Sequence, residues 1–347
     1  MENCTIFFEW PRLSKYGPSK ICKVPSLYTL VAIAFATMFA RNSCEAETIY
    51  GMTTVDSTST SAGLALVSFS SSAPGTIITE NSFSGIVAGQ SLRSIDFRPS
   101  NGLLYALSSS GSAAQLYTVN LSNATLTAVG SGFTLPSTNA RVEIEFDPVA
   151  DNIRVIRGTA TNNNLTVNPN TGALIATQTT LNVPTGDPLN PDGLSGSISG
   201  IVGTAYSNNT AGASSTTLYG FDFLTSALVR IGGLNGSPSA DGGLVTTINK
   251  PASLSNSNAG LGMDISGATG TLFETHDDPT GTFMSFFSRN LTTGAKTLIG
   301  NYPAGVFIQD IAVAPVPEPS TIVLGSSAAL LFASRSRFRR STASKIK

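Results

Sequence analysis

Four acidic residues stand at the centre of closely similar apolar segments. They are Asp96 in Ser94-Ile95-Asp96-Phe97-Arg98-Pro99, Glu145 in Glu143-Ile144-Glu145-Phe146-Asp147-Pro148, Asp264 in Gly262-Met263-Asp264-Ile265-Ser266, and Asp310 in Ile308-Gln309-Asp310-Ile311-Ala312. Carboxylates brought together in pairs can serve as acid, base or nucleophile on a glycosidic bond when they stand about 5 to 9.5 Å apart. The same groups can hold a cation or a polar ligand. A residue that returns in copy after copy usually belongs to the copy itself, here as a carboxylate accepting backbone N–H groups, because catalytic groups tend to break a repeat. The expectation is therefore a structural role, with cation binding and catalysis as alternatives.

Two further stretches cluster oxygen ligands of the kind calcium accepts. One contains Asp187, Asn190 and Asp192 in the run Asp187 to Gly193; the other is His276-Asp277-Asp278-Pro279. Neither has EF-hand spacing, and Asp, Asn, Pro and Gly are also ordinary loop residues. No cofactor is expected, and calcium is the one cation these loops could take. His276 is the sole histidine of the chain. No G-x-S-x-G context supports a serine triad built on it, so it reads as a solvated loop residue. Phosphate loops, H-E-x-x-H and dinucleotide fingerprints are missing from the sequence. Cys4, Cys22 and Cys44 all precede Glu47. A chain cut there holds no thiol for a disulfide, a metal or nucleophilic catalysis.

The elements that must position these residues form a repeat. With the weaker copy Ile201-Val202-Gly203-Thr204-Ala205 included, the central positions are 96, 145, 203, 264 and 310, spaced by 49, 58, 61 and 46 residues. That is the range of a four-stranded propeller blade. Second strands follow at Leu104–Leu107, Ile153–Ile156 and Leu272–Thr275. Third strands are expected at Tyr117–Asn120, Leu165–Asn168, Tyr219–Asp222 and Phe286–Asn290, and fourth strands at Leu126–Val129, Ala173–Ala176, Leu228–Ile231 and Thr297–Ile299. Asn and Gly between them suit tight hairpins. Tyr50, Tyr105, Tyr117 and Tyr219 recur at strand positions and read as packing between blades. The sequons at Asn120, Asn123, Asn164, Asn208 and Asn290 read as polar turns. Ile49–Met52 matches a second strand, whereas the segment around Asp310 matches a first. The last strand would then complete the first blade and remove the open edges. The fold expected is all-β, a five-bladed β-propeller, with a six-bladed ring or a β-sandwich as the alternative.

Composition agrees with an exported, turn-rich β protein: 12% of residues are charged and 41% hydrophobic. Residues 47–334 hold 9 basic and 18 acidic side chains. Such a surface disfavours nucleic acid and favours cations or neutral polymers. The basic residues Arg12, Lys15, Lys20 and Lys23, the apolar run from Leu27 to Ala40 and the small residues before Glu47 have the order of a secretory signal peptide, cleaved after Ala46. At the other end Val316-Pro317-Glu318-Pro319 precedes an apolar run, 322–333, and the basic cluster Arg335, Arg337, Arg339 and Arg340. This tail closely resembles the PEP-CTERM sorting signal of Gram-negative bacteria. The resemblance implies recognition by an exosortase and transient anchoring in the inner membrane, with the arginines on the cytoplasmic side. The organisation expected is a signal peptide at 1–46, a propeller at 47–315 and a sorting signal at 316–347.

The body carries a second resemblance. S-I-D-F-R-P with N-G-L-L-Y-A-L and L-Y-T-V-N, then F-D-P with D-N-I-R-V-I, then A-Y-S-N-N with T-T-L-Y, are similar to the bacterial family termed domain of unknown function 4394. That resemblance spans about Ile49 to Ala314 and implies an exported propeller-like domain without an assigned activity. Arg154 and Arg157 lie in its R-V-I-R segment, and no chemistry attaches to them from sequence. The function expected is that of a non-enzymatic surface or matrix protein binding exopolysaccharide, after export and processing of both ends. The competing expectation is a carbohydrate-active enzyme using the inner carboxylates.

Overall fold

The computed structural model describes residues 46–54, 65–136, 141–158, 161, 163–190, 200–251, 260–277 and 283–315. The expected signal peptide upstream of Ala46, the sorting signal from Val316 onward, Asp192 and Asp278 lie outside them. Among the described residues, no helix is long and apolar enough to cross a membrane.

Five antiparallel four-stranded sheets form the blades of a β-propeller. Blade one contains β1 (Thr48–Thr54), β2 (Ala65–Ser70) and β3 (Ala73–Ser82). Blade two is β4 (Ser91–Phe97), β5 (Leu104–Ser110), β6 (Ala113–Val119) and β7 (Leu126–Thr134). Blade three is β8 (Val142–Asp147), β9 (Asn152–Arg157), β10 (Asn164–Val167) and β11 (Leu174–Thr177). Blade four is β12 (Ile201–Tyr206), β13 (Leu218–Asp222), β14 (Ala227–Ile231) and β15 (Val245–Asn249). Blade five is β16 (Gly260–Ile265), β17 (Leu272–Asp277), β18 (Met284–Arg289) and β19 (Lys296–Asn301). The last strand, β20 (Phe307–Val313), pairs with β1 and becomes the inner strand of blade one. The chain thus closes its own ring, as the positions of Ile49 and Asp310 predicted.

Burial follows the blade from inside to outside. The inner strand β12 is buried along its whole length, whereas the outer strand β19 is buried nowhere. Both faces of an inner strand press on neighbouring blades, so apolar residues run continuously there. One face of an outer strand meets water, and Ser, Thr and Lys appear. Five apolar clusters fill the spaces between blades. Phe97 and Tyr117 lie in the first, Phe146 and Val155 in the second, Ile201 and Val229 in the third, Phe221 and Met263 in the fourth, and Phe69 and Phe286 in the fifth. Aromatic pairs bridge the blades edge to face, with Tyr105 and Phe146 at 5.0 Å and Phe69 and Phe286 at 5.3 Å between centroids.

The hairpins share one local device. Asn120, Asn168 and Asn290 accept N–H bonds from residues two positions on, and the chain turns through a left-handed residue four positions on. That residue is Gly172 in blade three, where a Cβ would meet the Val129 carbonyl oxygen at 2.2 Å. Glycine is required at that point by both φ and the contact with blade two.

Blade four corrects the strand assignment. Tyr219–Asp222 belongs to the second strand and Leu228–Ile231 to the third; the outer strand is β15. The Asp222 turn resembles the Asn120 turn, but here it joins the second and third strands. A turn motif is local and does not record which pair of strands it connects. Its position in the blade follows from the pairing of β13 with β12 on one side and β14 on the other.

Candidate functional site in and beside the ring of inner strands

The five inner strands bring Asp96, Glu145, Asp264 and Asp310 together, each no more than 4% exposed. Three of them reach into the following blade. Asp310 Oδ2 accepts the N–H of Ile95 at 2.8 Å, Asp96 Oδ2 that of Phe146 at 2.6 Å, and Asp264 Oδ2 that of Val313 at 2.6 Å. The second oxygens of Asp264 and Asp310 accept the N–H groups of Ile265 at 2.6 Å and Ile311 at 2.9 Å. The repeated carboxylate thus staples one blade to the next in three of the five copies. Glu145 differs. Its blade-four counterpart is Gly203, and its Oε2 has no hydrogen-bond partner.

Gly203 is where the acidic pattern stops. A Cβ there would meet Met263 Cγ of blade five at 2.9 Å, so Met263 occupies the space another carboxylate would need.

Burial dominates the acidities. It pushes Asp264 and Asp310 up to about 7, against N–H bonds that pull the other way. Burial raises Asp96 well above the carboxylate range, and the Asp264 charge adds to it; Glu145 is raised by burial and then by Asp96, Asp264, Asp310 and Glu143. One oxygen each from Asp96, Glu145 and Asp264 lies within 4.8 Å of the others.

The loop residues fall elsewhere. Asp187 Oδ2 accepts the N–H of Thr247 at 2.9 Å, and its Oδ1 accepts the N–H of Leu189 at 3.0 Å and the Thr247 hydroxyl. Asn190 donates to the Val183 carbonyl at 3.0 Å. The described part of this loop therefore ties its own turn to β15. Asp277 ends β17, apart from the Asp187 loop.

His276 corrects its sequence reading: it lies inside β17 and is 1% exposed. Its Nε2 is 2.9 Å from Glu274 Oε1, a close electrostatic contact rather than an aligned hydrogen bond. Arg289 Nε donates to Glu274 Oε2 at 2.8 Å. Despite burial, His276 and Arg289 hold the Glu274 carboxyl down at about 2, while burial lowers the His276 pKa. Phe221 and Phe287 meet the imidazole edge to face at 5.2 and 5.3 Å. β17 is buried on both faces from Leu272 to His276, which puts this side chain in the core, a consequence hidden in sequence by the loop residues after it.

A second site was not legible in sequence. Between blades three and four a polar cavity of about 190 Å³ is lined by Arg154, Tyr206, Thr216 and Asn235, with Ser214 at its exposed edge. Arg154 is buried and fully engaged: Nε donates to the Tyr206 hydroxyl at 3.3 Å, Nη1 to Asn164 Oδ1 at 2.9 Å, and Nη2 pairs with Asp241 at 2.7 Å. Asn164 is accordingly no polar turn. It is buried within β10 and donates to the carbonyls of Thr179 and Ala240 at 3.1 and 2.9 Å. The R-V-I-R segment was the available signal, but its partners come from distant parts of the chain.

Several solved structures resemble the chain at low identity. A nidogen/laminin complex matches with 10% identity and a TM-score of 0.39, covering 77% of this chain and 98% of that one. TolB from Acinetobacter baumannii matches with 11% identity and a TM-score of 0.40, covering 74% and 53%. An engineered GH43 glycoside hydrolase matches with 10% identity and a TM-score of 0.44, covering 79% and 53%. No curated protein sequence matches the chain significantly. The model of the family described as a domain of unknown function, DUF4394, matches residues 65–312, nearly the whole described ring, and the chain belongs to that family.

Proposed function

We propose that this protein is an exported, non-catalytic propeller of the cell surface or extracellular matrix that binds a neutral exopolysaccharide. The observation that carries the reading is the burial of the inner carboxylates. Each is at most 4% exposed, and three hold backbone N–H groups of the next blade. A glycosidic bond has no route to them, and a general acid must reach the bond it protonates.

The cavity beside Arg154 supports a binding role. At about 190 Å³ it is smaller than the roughly 300–1,000 Å³ of pockets for drug-sized ligands and suits one polyol-sized unit of a polymer. Arg154 is already neutralised by Asp241, so the site favours an uncharged, hydroxyl-rich ligand over an acidic one. Export rests on the two terminal segments: cleavage after Ala46 would leave Glu47 alone before β1 begins at Thr48, and the tail from Val316 would engage an exosortase.

Retention of the full chain on polysaccharide from the producing cell tests the reading. Binding above that of an unrelated acidic propeller is expected, and Ser214→Trp, which fills the exposed edge of the cavity, should abolish it. Retention no greater than the control overturns the reading. A mass measurement on the secreted form checks both cleavage points.

A further inference from the structure

We propose that Asp96, Glu145 and Asp264 form a buried site for one divalent, oxygen-preferring cation, with calcium as its ion, at the junction of the inner strands.

The three oxygens within 4.8 Å of one another span no more than twice a calcium–oxygen distance of about 2.4 Å. A point no more than about 2.8 Å from all three therefore exists, and side-chain shifts of a few tenths of an ångström bring them to the roughly 2.3–2.6 Å range of calcium–oxygen contacts. The side chains also have coordination to spare. Asp96 Oδ1 and Glu145 Oε2 are buried without a hydrogen-bond partner, on residues 1% and 4% exposed. Orphaned oxygens are rare in a folded core and call for a missing partner. Asp264 uses both oxygens as acceptors, but each carboxylate oxygen has a second lone pair.

A fourth oxygen gives independent support. Thr204 is 2% exposed and its hydroxyl lacks a partner. Its neighbour Gly203 faces Met263 of blade five, so alternation along β12 turns Thr204 toward blade three, the side from which Glu145 comes. The charged neighbours acting most strongly on Glu145 are all acids. Among the described residues, no basic side chain figures in the leading influences on Asp96, Glu145 or Asp264, whereas buried charges are usually paired. The donor set is oxygen alone, which excludes soft-metal chemistry, and a nearly dehydrated, protein-walled site suits calcium better than magnesium, which gives up water reluctantly.

This proposal is independent of the polysaccharide reading and has its own test. The full chain is stripped with a chelator, and bound metal and thermal unfolding are measured at pH 7.5 with calcium, with magnesium and with neither. One calcium per chain is expected, with a rise in Tm on the order of 5 °C at a hundredfold excess over Kd and a smaller rise with magnesium. Glu145→Gln should remain folded, because Glu145 staples no backbone group, and should lose both the bound calcium and the Tm response. Absence of bound calcium with an unmoved Tm overturns the proposal, as does an equal calcium response in Glu145→Gln. A cluster neutralised by protons alone would show the first of these results.

Discussion

Asp264 of blade five accepts the backbone N–H of Val313 in blade one at 2.6 Å, so a carboxylate spans the seam where the last strand completes the first blade. The same group also accepts the N–H of Ile265. Asp264→Ala leaves two buried donors unsatisfied, at about 1–3 kcal/mol each. We expect a loss of about 2–5 kcal/mol, read from the urea midpoint, and roughly half of that for Asp264→Asn, whose amide oxygen still accepts one bond.

Stability should depend on pH with a defined sign. Asp264 and Asp310 rise from the ordinary 3.8 to about 7 on folding, because burial disfavours their charged forms. Their protonation then favours the folded state fully below about pH 4, and this contribution is lost as pH rises toward 7. Glu274 has the opposite sign: held at about 2 against an ordinary 4.5, it favours folding above pH 4.5 and ceases to do so as pH falls through 2. Metal-free protein should therefore be more stable near pH 5 than at pH 8, and less stable again near pH 2. Thermal unfolding across that range checks both limbs, and calcium should narrow the gap between pH 5 and pH 8.

Glu274 is buried between His276 and Arg289, with Arg289 Nε 2.8 Å from its carboxylate. Glu274→Gln leaves a buried guanidinium without its counter-charge and should lose about 3–5 kcal/mol. Arg289→Met in the same chain should restore much of that loss. A double-mutant cycle measures the coupling, and additive losses would contradict the arrangement.

Gly203 tests why the acidic pattern breaks in blade four. Gly203→Ala places a Cβ about where Met263 Cγ now approaches at 2.9 Å. Overpacking should cost about 1–3 kcal/mol. Combining it with Met263→Ala should give a loss smaller than the sum of the two singles, measured by denaturant unfolding.

The repeat, the four strands of each regular blade and the closing role of the last segment were legible because their signals are local. Alternating apolar residues and the turns led by Asn120, Asn168 and Asn290 are each written within a few residues, and the 49-residue step from Asp96 to Glu145 repeats that local pattern. Sequence alone also favoured a structural role for the acidic positions, since a group repeated with the blade belongs to the blade.

Only the tertiary structure decided where those groups point. The staple from Asp310 to Ile95 joins residues 215 positions apart, and Arg154 finds Tyr206 at a separation of 52. Blade four was misassigned from sequence because a similar turn can join either pair of strands. His276 and Asn164 read as loop residues although their strands face the core. The physical reason is the same in each case. Strand periodicity and turn chemistry act along the chain, whereas burial, carboxylate acidity and the cavity beside Arg154 arise between blades, where no local pattern records which neighbour will arrive.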